Sequence, residues 1–277
     1  MHEFLLDNLN KYYSENEIKD IMSGFSCKRK TTFRINNIKS NKDGIESLLN
    51  KYGFTYHNPK EYEDCYILDE DFVIVDDKRI AIRELDIYKE GKIYIQNISS
   101  MIPVLELEPK EGENILDMCS APGGKTTMIQ SITHNKANVT ACELNKIRYE
   151  KLKYNIDLQG ANVYLLNTDA MSLDDNLKYD KILLDAPCSG SGTLDITNDN
   201  YKKYFTKELI DKSIKKQQKL INKALKLLKK SGTLIYSTCS ILNCENEDMV
   251  SKYKPVDIIK IMPDEIYEGF FVSKIIL

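Results

Sequence analysis

Two cysteines and a handful of charged residues lie in surroundings that suit chemistry better than packing. Cys188 falls within Asp185-Ala186-Pro187-Cys188-Ser189-Gly190-Ser191-Gly192-Thr193, and Cys239 within Tyr236-Ser237-Thr238-Cys239-Ser240. Most cysteines are buried and inert, but these two have small or polar neighbours in place of an apolar core. Upstream, Asp117-Met118-Cys119-Ser120-Ala121-Pro122-Gly123-Gly124-Lys125-Thr126-Thr127 follows a short apolar run and precedes a helical pattern. Adjacent glycines let the backbone approach a ligand closely, and a helix N-terminus offers free N–H groups and a positive dipole end. A phosphate-binding P-loop would need Gly at position 119, which is Cys, and no Gly-x-Gly forms a dinucleotide fingerprint.

Acidic residues narrow the ligand. Glu143 ends the apolar run 138–142 and suits a ribose, because one carboxylate accepts from two vicinal hydroxyls. Asp169 follows the run 162–166 and either accepts from an adenine amino group or caps a turn. With the glycine loop, they point to an adenosine-containing ligand, and the missing phosphate motif favours S-adenosylmethionine over a nucleoside triphosphate. A thiolate beside a methyl donor has a specific use. Carbon 5 of a pyrimidine is too weak a nucleophile to take a methyl group directly. Addition of a thiolate to carbon 6 makes carbon 5 enamine-like; it then methylates, and loss of its proton releases the enzyme. An acid must also meet the charge that builds at the ring nitrogen and exocyclic amine. Asp185 is three residues from Cys188, and Lys125 would lower a thiolate pKa or hold the base.

Elements must present all of these groups together. From about residue 112, strands and helices alternate as in a doubly wound parallel sheet. Strands are expected at 113–117, 138–142, 162–166, 180–184 and 233–237, with helices at about 145–158 and 207–230. Each strand ends in one of the polar motifs, where ligands bind in open α/β sheets. Residues 1–24 read as two short helices, the second closed by Gly24, and 43–52 as another. We expect a small α+β domain at 1–90 that contacts RNA, followed by a methyltransferase domain at 91–277.

Composition sets outer bounds. At 277 residues and 42% hydrophobic content the chain can bury a sizeable core. A net charge of −3 leaves any nucleic-acid affinity to local patches. One candidate is Cys27-Lys28-Arg29-Lys30-Thr31-Thr32-Phe33-Arg34-Ile35-Asn36, where Lys28, Arg29, Lys30 and Arg34 either contact phosphate or form a solvated run on an alternating strand. Another is a stripe of Lys212, Lys215, Lys219, Lys223, Lys226 and Lys230 opposite an apolar face of Ile210, Ile214, Ile221, Leu225 and Leu228; bland solvation is the simpler reading of that stripe. The seven cysteines form no Cys-x-x-Cys pair and only His2, His57 and His134 accompany them, so no metal site is expected. No apolar run is long enough for a bilayer and Met1-His2-Glu3-Phe4-Leu5-Leu6-Asp7 lacks a secretory pattern, so no membrane association and a cytoplasmic, reduced setting are expected.

Taken together, the glycine loop and the two cysteine motifs closely resemble the RNA 5-methylcytosine methyltransferases of the Sun/Nol/Nop group. The resemblance runs over roughly residues 30–277 and includes Thr31-Thr32-Phe33-Arg34-Ile35-Asn36, Tyr94-Ile95-Gln96-Asn97-Ile98-Ser99-Ser100-Met101, Glu245-Asn246-Glu247 and Gly269-Phe270-Phe271-Val272. It implies a Rossmann-like methyltransferase fold with a mostly parallel seven-stranded sheet. It implies Cys239 as the nucleophile and Cys188 as the cysteine that assists product release, with Asp185 and Lys125 on the target cytosine. Cys119, Ser120, Ala121, Pro122, Gly123, Gly124, Lys125, Glu143, Asp169 and Asp185 would then line the S-adenosylmethionine site. The implied partner is ribosomal or transfer RNA, with the target base in a loop or flipped out, and a monomer is expected.

Two stretches depart from the group's pattern. Leu194-Asp195-Ile196-Thr197-Asn198-Asp199-Asn200 stands where many relatives carry basic residues. Asp264-Glu265-Ile266-Tyr267-Glu268 stands where His-Arg is frequent. The short stretch after Cys239 is expected to hold no appended RNA-binding domain. Two other classes share the sheet: methylation of a small molecule or protein, and an RNA-binding assembly factor that has kept the fold. The first gives no reason for two strand-end cysteines, and the second none for keeping Lys125, Asp185, Cys188 and Cys239 together.

Overall fold

The computed structural model describes residues 3–60 and 62–277; Met1, His2 and Glu61, and with them the first residues of the N-terminal pattern, lie outside the described residues. Seven strands form the larger sheet: β1 (Asn114–Asp117), β2 (Asn138–Cys142), β3 (Val163–Leu166), β4 (Tyr179–Asp185), β5 (Leu228–Thr238), β6 (Asp257–Ile261) and β7 (Phe270–Ile276). Their spatial order is β6-β7-β5-β4-β1-β2-β3. Neighbours from β5 to β3 pair in parallel and only β7 runs antiparallel to its neighbours. This is the expected Rossmann-like methyltransferase sheet.

Apolar alternation explains how the sheet is held. Leu116, Ile182, Leu184, Leu234 and Tyr236 face one core with the helix Lys207–Leu227. Ile115, Leu183 and Ile235 face the other, against the helices Ile102–Leu107 and Gly124–Ile132. Both faces are covered, as a parallel sheet requires.

The helix after β4 departs from expectation at its end. It stops at Leu227, and the chain is already strand at Leu228, paired with Tyr179 before a register shift. Ser231 takes a left-handed φ of 62° beside Gly232, letting the strand resume its parallel course. Lys230 therefore belongs to the strand extension. Lys223 is buried, donating to Leu173 O at 2.5 Å and pairing with Asp175. The lysine stripe reduces to Lys212, Lys215, Lys219 and Lys226, all exposed.

A smaller antiparallel sheet takes the order Tyr56–His57, Cys65–Leu68, Thr32–Ile35, Ile93–Ile95, so its last strand lies beyond the division expected at residue 90. Thr32–Ile35 alternates as expected but is buried along its whole length. Phe33 and Ile35 face a core under the helix Lys42–Tyr52, whereas Arg34 reaches the helix Gly124–Ile132. The first two helices, Glu3–Leu9 and Glu15–Ser26, pack on Leu194, Phe205, Ile241 and Leu242 of the larger domain. Ser14 and Glu17 form a capping box at the second. Gly24 does not end that helix. A Cβ there would stand 1.8 Å from Pro263 O, so the glycine permits a helix-to-loop contact.

Candidate active site

Strand order reverses between β1 and β4, and the crevice above their C-terminal ends is the expected ligand position in such a sheet. A cleft of about 270 Å³ opens there, lined by Ser120, Ala121, Pro122, Gly124, Lys125, Asp117 and Asp185 at the ends of β1 and β4 and by Tyr94 to Asn97, Ser100 and Glu268. Gly123 takes φ +108° to turn the chain from β1 into its helix, a conformation an L side chain rarely adopts. Gly124 lies against Tyr94 and Gln96, and a Cβ would sit 3.1 Å from the tyrosine ring.

Polar contacts hold the cleft's charges in place. Lys125 Nζ donates to Asp185 Oδ2 at 2.7 Å and to Ser100 Oγ at 2.8 Å. Ser237 Oγ donates to Asp185 Oδ1 at 2.9 Å, so both carboxylate oxygens are engaged. Asp117 is buried, accepting from Thr126 Oγ1 at 2.7 Å on Oδ2, while among the described residues no hydrogen bond of good geometry reaches Oδ1. Burial pushes its pKa up to about 6, with the neighbouring Asp185 carboxylate adding to the rise.

The cysteine loops meet beside this cleft. Cys188 Sγ and Cys239 Sγ are 3.1 Å apart. The hydrogen bond shared with Cys239, then burial, push the Cys188 thiol well up. Several bonds stitch the two loops together. Gly192 N donates to Cys239 O at 2.9 Å, and Ile241 N to Ser191 Oγ at 3.0 Å. The fully buried Glu245 carboxylate accepts from Ser189 N at 2.9 Å and Ser189 Oγ at 2.5 Å on one loop. It also accepts from Ser240 Oγ at 2.6 Å on the other, and from Gln217 Nε2 at 3.2 Å. Gly269 N donates to Gly192 O at 2.8 Å, and a Cβ on Gly192 would stand 2.0 Å from Gly269 O.

Other expected residues lie elsewhere. Glu143 and Asp169 stand at the ends of β2 and β3, outside the lining of the cleft between β1 and β4. Glu143 Oε1 accepts from Asn145 N at 2.8 Å, and its Oε2 is 3.5 Å from Arg148, which also donates to Ala121 O at 2.8 Å. Asp169 caps the short turn after β3, its Oδ1 accepting from Met171 N at 3.0 Å. Cys119 is partly buried against the core, and burial raises its thiol far out of the reactive range. Ser120 Oγ donates to Cys142 O at 2.8 Å, tying the glycine loop to β2.

The basic cluster divides. Lys28 is exposed and pairs with Asp71 at 2.5 Å, and the Lys30 backbone donates to Glu265 O at 2.8 Å. Arg29 Nε donates to Tyr267 O at 3.5 Å. Arg34 is no phosphate contact. It is fully buried, donating from Nε to Gln96 Oε1 at 3.0 Å and from Nη2 to Gly124 O at 3.0 Å and Thr127 Oγ1 at 2.8 Å. The reading of single residues missed Ser100, Arg148, Glu245 and Glu268. Three of these fall inside or beside stretches that carry the resemblance, which was the available signal.

Comparison with known proteins bears on this geometry. A family model described as 16S rRNA methyltransferase RsmB/F matches residues 104–255, more than half of the chain. A ribosomal RNA small subunit methyltransferase B of Photorhabdus laumondii is 30% identical over 255 residues, 91% of this chain and 57% of the relative. A tRNA (cytosine(72)-C(5))-methyltransferase of Pyrococcus horikoshii is 39% identical over 172 residues, 61% of this chain and 43% of the relative. The chain thus spans about half the length of these curated relatives. Among solved structures, a methyltransferase homolog protein from Pyrococcus horikoshii superposes with a TM-score of 0.79 at 28% identity, covering 98% of each chain.

Proposed function

The chain belongs to the RsmB/F family of methyltransferases, and from that premise we propose that it transfers a methyl group from S-adenosylmethionine to carbon 5 of a cytosine in ribosomal or transfer RNA. The observation that carries this reading is the pair of thiols 3.1 Å apart at the ends of β4 and β5, beside the Lys125–Asp185 ion pair. A methyltransferase acting on an oxygen or nitrogen nucleophile has no use for such a pair.

Cys239 adds through sulfur to carbon 6 of the base, and the ring electrons move to carbon 5, which becomes nucleophilic. Bound S-adenosylmethionine supplies the electrophilic methyl group. The glycine loop Cys119 to Lys125, Glu143, Asp169 and Asp185 would hold it; Asp117 Oδ1, which no hydrogen bond of good geometry reaches among the described residues, suits a ligand rich in N–H and O–H donors. Asp185, with Lys125 fixing its orientation, meets the charge on the base edge. Cys188 takes the release role that the resemblance implies: a base beside it removes the carbon 5 proton, the freed electron pair expels sulfur from carbon 6, and the Cys239 thiolate is restored.

The test is methyl transfer from labelled S-adenosylmethionine to bulk RNA of a strain lacking the gene, with bisulfite sequencing to locate the cytosine. Cys239→Ala should abolish transfer and leave cofactor binding within about twofold. Cys188→Ala should accumulate a covalent protein–RNA adduct, seen as a slow band on denaturing gels. An adduct with Cys239→Ala and none with Cys188→Ala would reverse the two roles, and no labelled cytosine with the unaltered protein would sink the reading.

A further inference from the structure

The cleft holds a third carboxylate, beside Asp117 and Asp185, that none of the steps above uses. Glu268 lines the same crevice as Lys125, Asp185 and Ser100. Its backbone is pinned: Ser99 Oγ donates to Glu268 O at 2.8 Å, and Glu268 N donates to Asn97 Oδ1 at 3.3 Å. The next residue, Gly269, is hydrogen-bonded to Gly192 of the Cys188 loop, so Glu268 keeps a set position relative to the cysteines. Its side chain is different. Among the described residues no hydrogen bond reaches the carboxylate, although burial disfavours its charge and only Arg29 and Lys125 offset that. Asp185, in contrast, has Lys125 on one oxygen and Ser237 on the other.

We propose that Glu268 reads the hydrogen-bonding edge of the target base, its carboxylate accepting from the N4 amino group of cytosine. This rests on the reading of the site as a cytosine methyltransferase. Cytosine offers an amino donor at position 4, whereas uracil offers a carbonyl oxygen there, which a carboxylate repels. Once the thiolate has added at carbon 6 and ring nitrogen 3 has taken a proton, that nitrogen and the amino group present two adjacent N–H donors. Asp185, held by Lys125, meets the ring nitrogen, and the Glu268 carboxylate accepts from the amino group. A site built to pair with an amino group rejects the analogue lacking it far more strongly than a shape-selective pocket does. Glu268 thus sets pyrimidine choice.

The experiment uses short RNAs carrying 5-fluorocytidine or 5-fluorouridine in bulk-transcribed substrate, with S-adenosylmethionine and the full chain. Fluorine at carbon 5 cannot leave as a proton does, so the sulfur–carbon 6 adduct persists and is counted on a denaturing gel. The unaltered protein should trap 5-fluorocytidine RNA over 5-fluorouridine RNA. Glu268→Gln should lower the cytidine-to-uridine trapping ratio at least about tenfold, and Glu268→Ala should lower it further, with S-adenosylhomocysteine affinity within about twofold for both. An unchanged ratio in both variants overturns the proposal even where the overall rate falls, because a merely structural role would slow both traps alike. If the unaltered protein traps neither RNA, the cytosine reading itself fails and this inference falls with it.

Discussion

At the scale of single residues, the site concentrates carboxylates where water is scarce. Asp117 is the extreme case, buried beside Asp185 with one oxygen that no hydrogen bond of good geometry reaches among the described residues. Burial raises its pKa from 3.8 to about 6, so between those pH values the folded protein holds a proton that the unfolded chain has lost. The sign follows directly: this group's contribution to stability is complete below about pH 4 and is lost as the pH rises through 6. Asp117→Asn keeps the shape and the bond from Thr126 but carries no charge. The stability advantage of that variant over the unaltered protein should therefore grow between pH 4 and pH 7.5, by on the order of 2 kcal/mol, read from urea titrations at each pH. A gap independent of pH would mean Asp117 is charged throughout.

At the scale of elements, the two cysteine loops behave as one part. Parallel pairing brings Asp185 opposite Ser237, and backbone and side-chain bonds continue the register past the strand ends. The Gly192–Gly269 contact then locks the unit to the start of β7. Gly192→Ala must push these backbones apart, because Gly269 O cannot retreat as a flexible side chain would. We expect methyl transfer to fall about a hundredfold, as displacements of about 1 Å near reacting groups do, with cofactor affinity unchanged. Normal turnover would show that the loops tolerate separation. The strand-end motifs were legible in the sequence because each breaks an apolar run with small polar residues. Glu245 was not: a carboxylate among Asn and Glu reads as surface, and only the fold brings Ser189 to it from 56 positions away. Arg34 misled for the same reason. A strand alternating Thr-Phe-Arg-Ile looks half-solvated until a second helix covers its polar side.

At the scale of the whole molecule, that arginine joins the smaller sheet to the catalytic half. Its guanidinium spans Gln96, Gly124 and Thr127, and burial lowers its pKa only to about 10, leaving it charged at neutral pH. Arg34→Met should cost about 3 kcal/mol, the value of charged hydrogen bonds whose partners stay buried. The helix that begins at Gly124 would lose its anchor with it, so affinity for S-adenosylmethionine should weaken in parallel by calorimetry. Full stability with weakened binding would confine the role of Arg34 to the site.

The first two helices carry a consequence for how the protein is made. Their apolar faces rest on Phe205, Ile241 and Leu242, and Tyr13 OH donates to Ile241 O across 228 positions. A ribosome adding about 5–20 residues per second needs roughly 11–46 s to supply that partner. Through that interval Leu5, Leu9, Ile21 and Phe25 lack the side chains that cover them in the fold. The loop bearing Cys239 thus settles only when two segments synthesised far apart in time meet, with the apolar faces of the two helices uncovered until then.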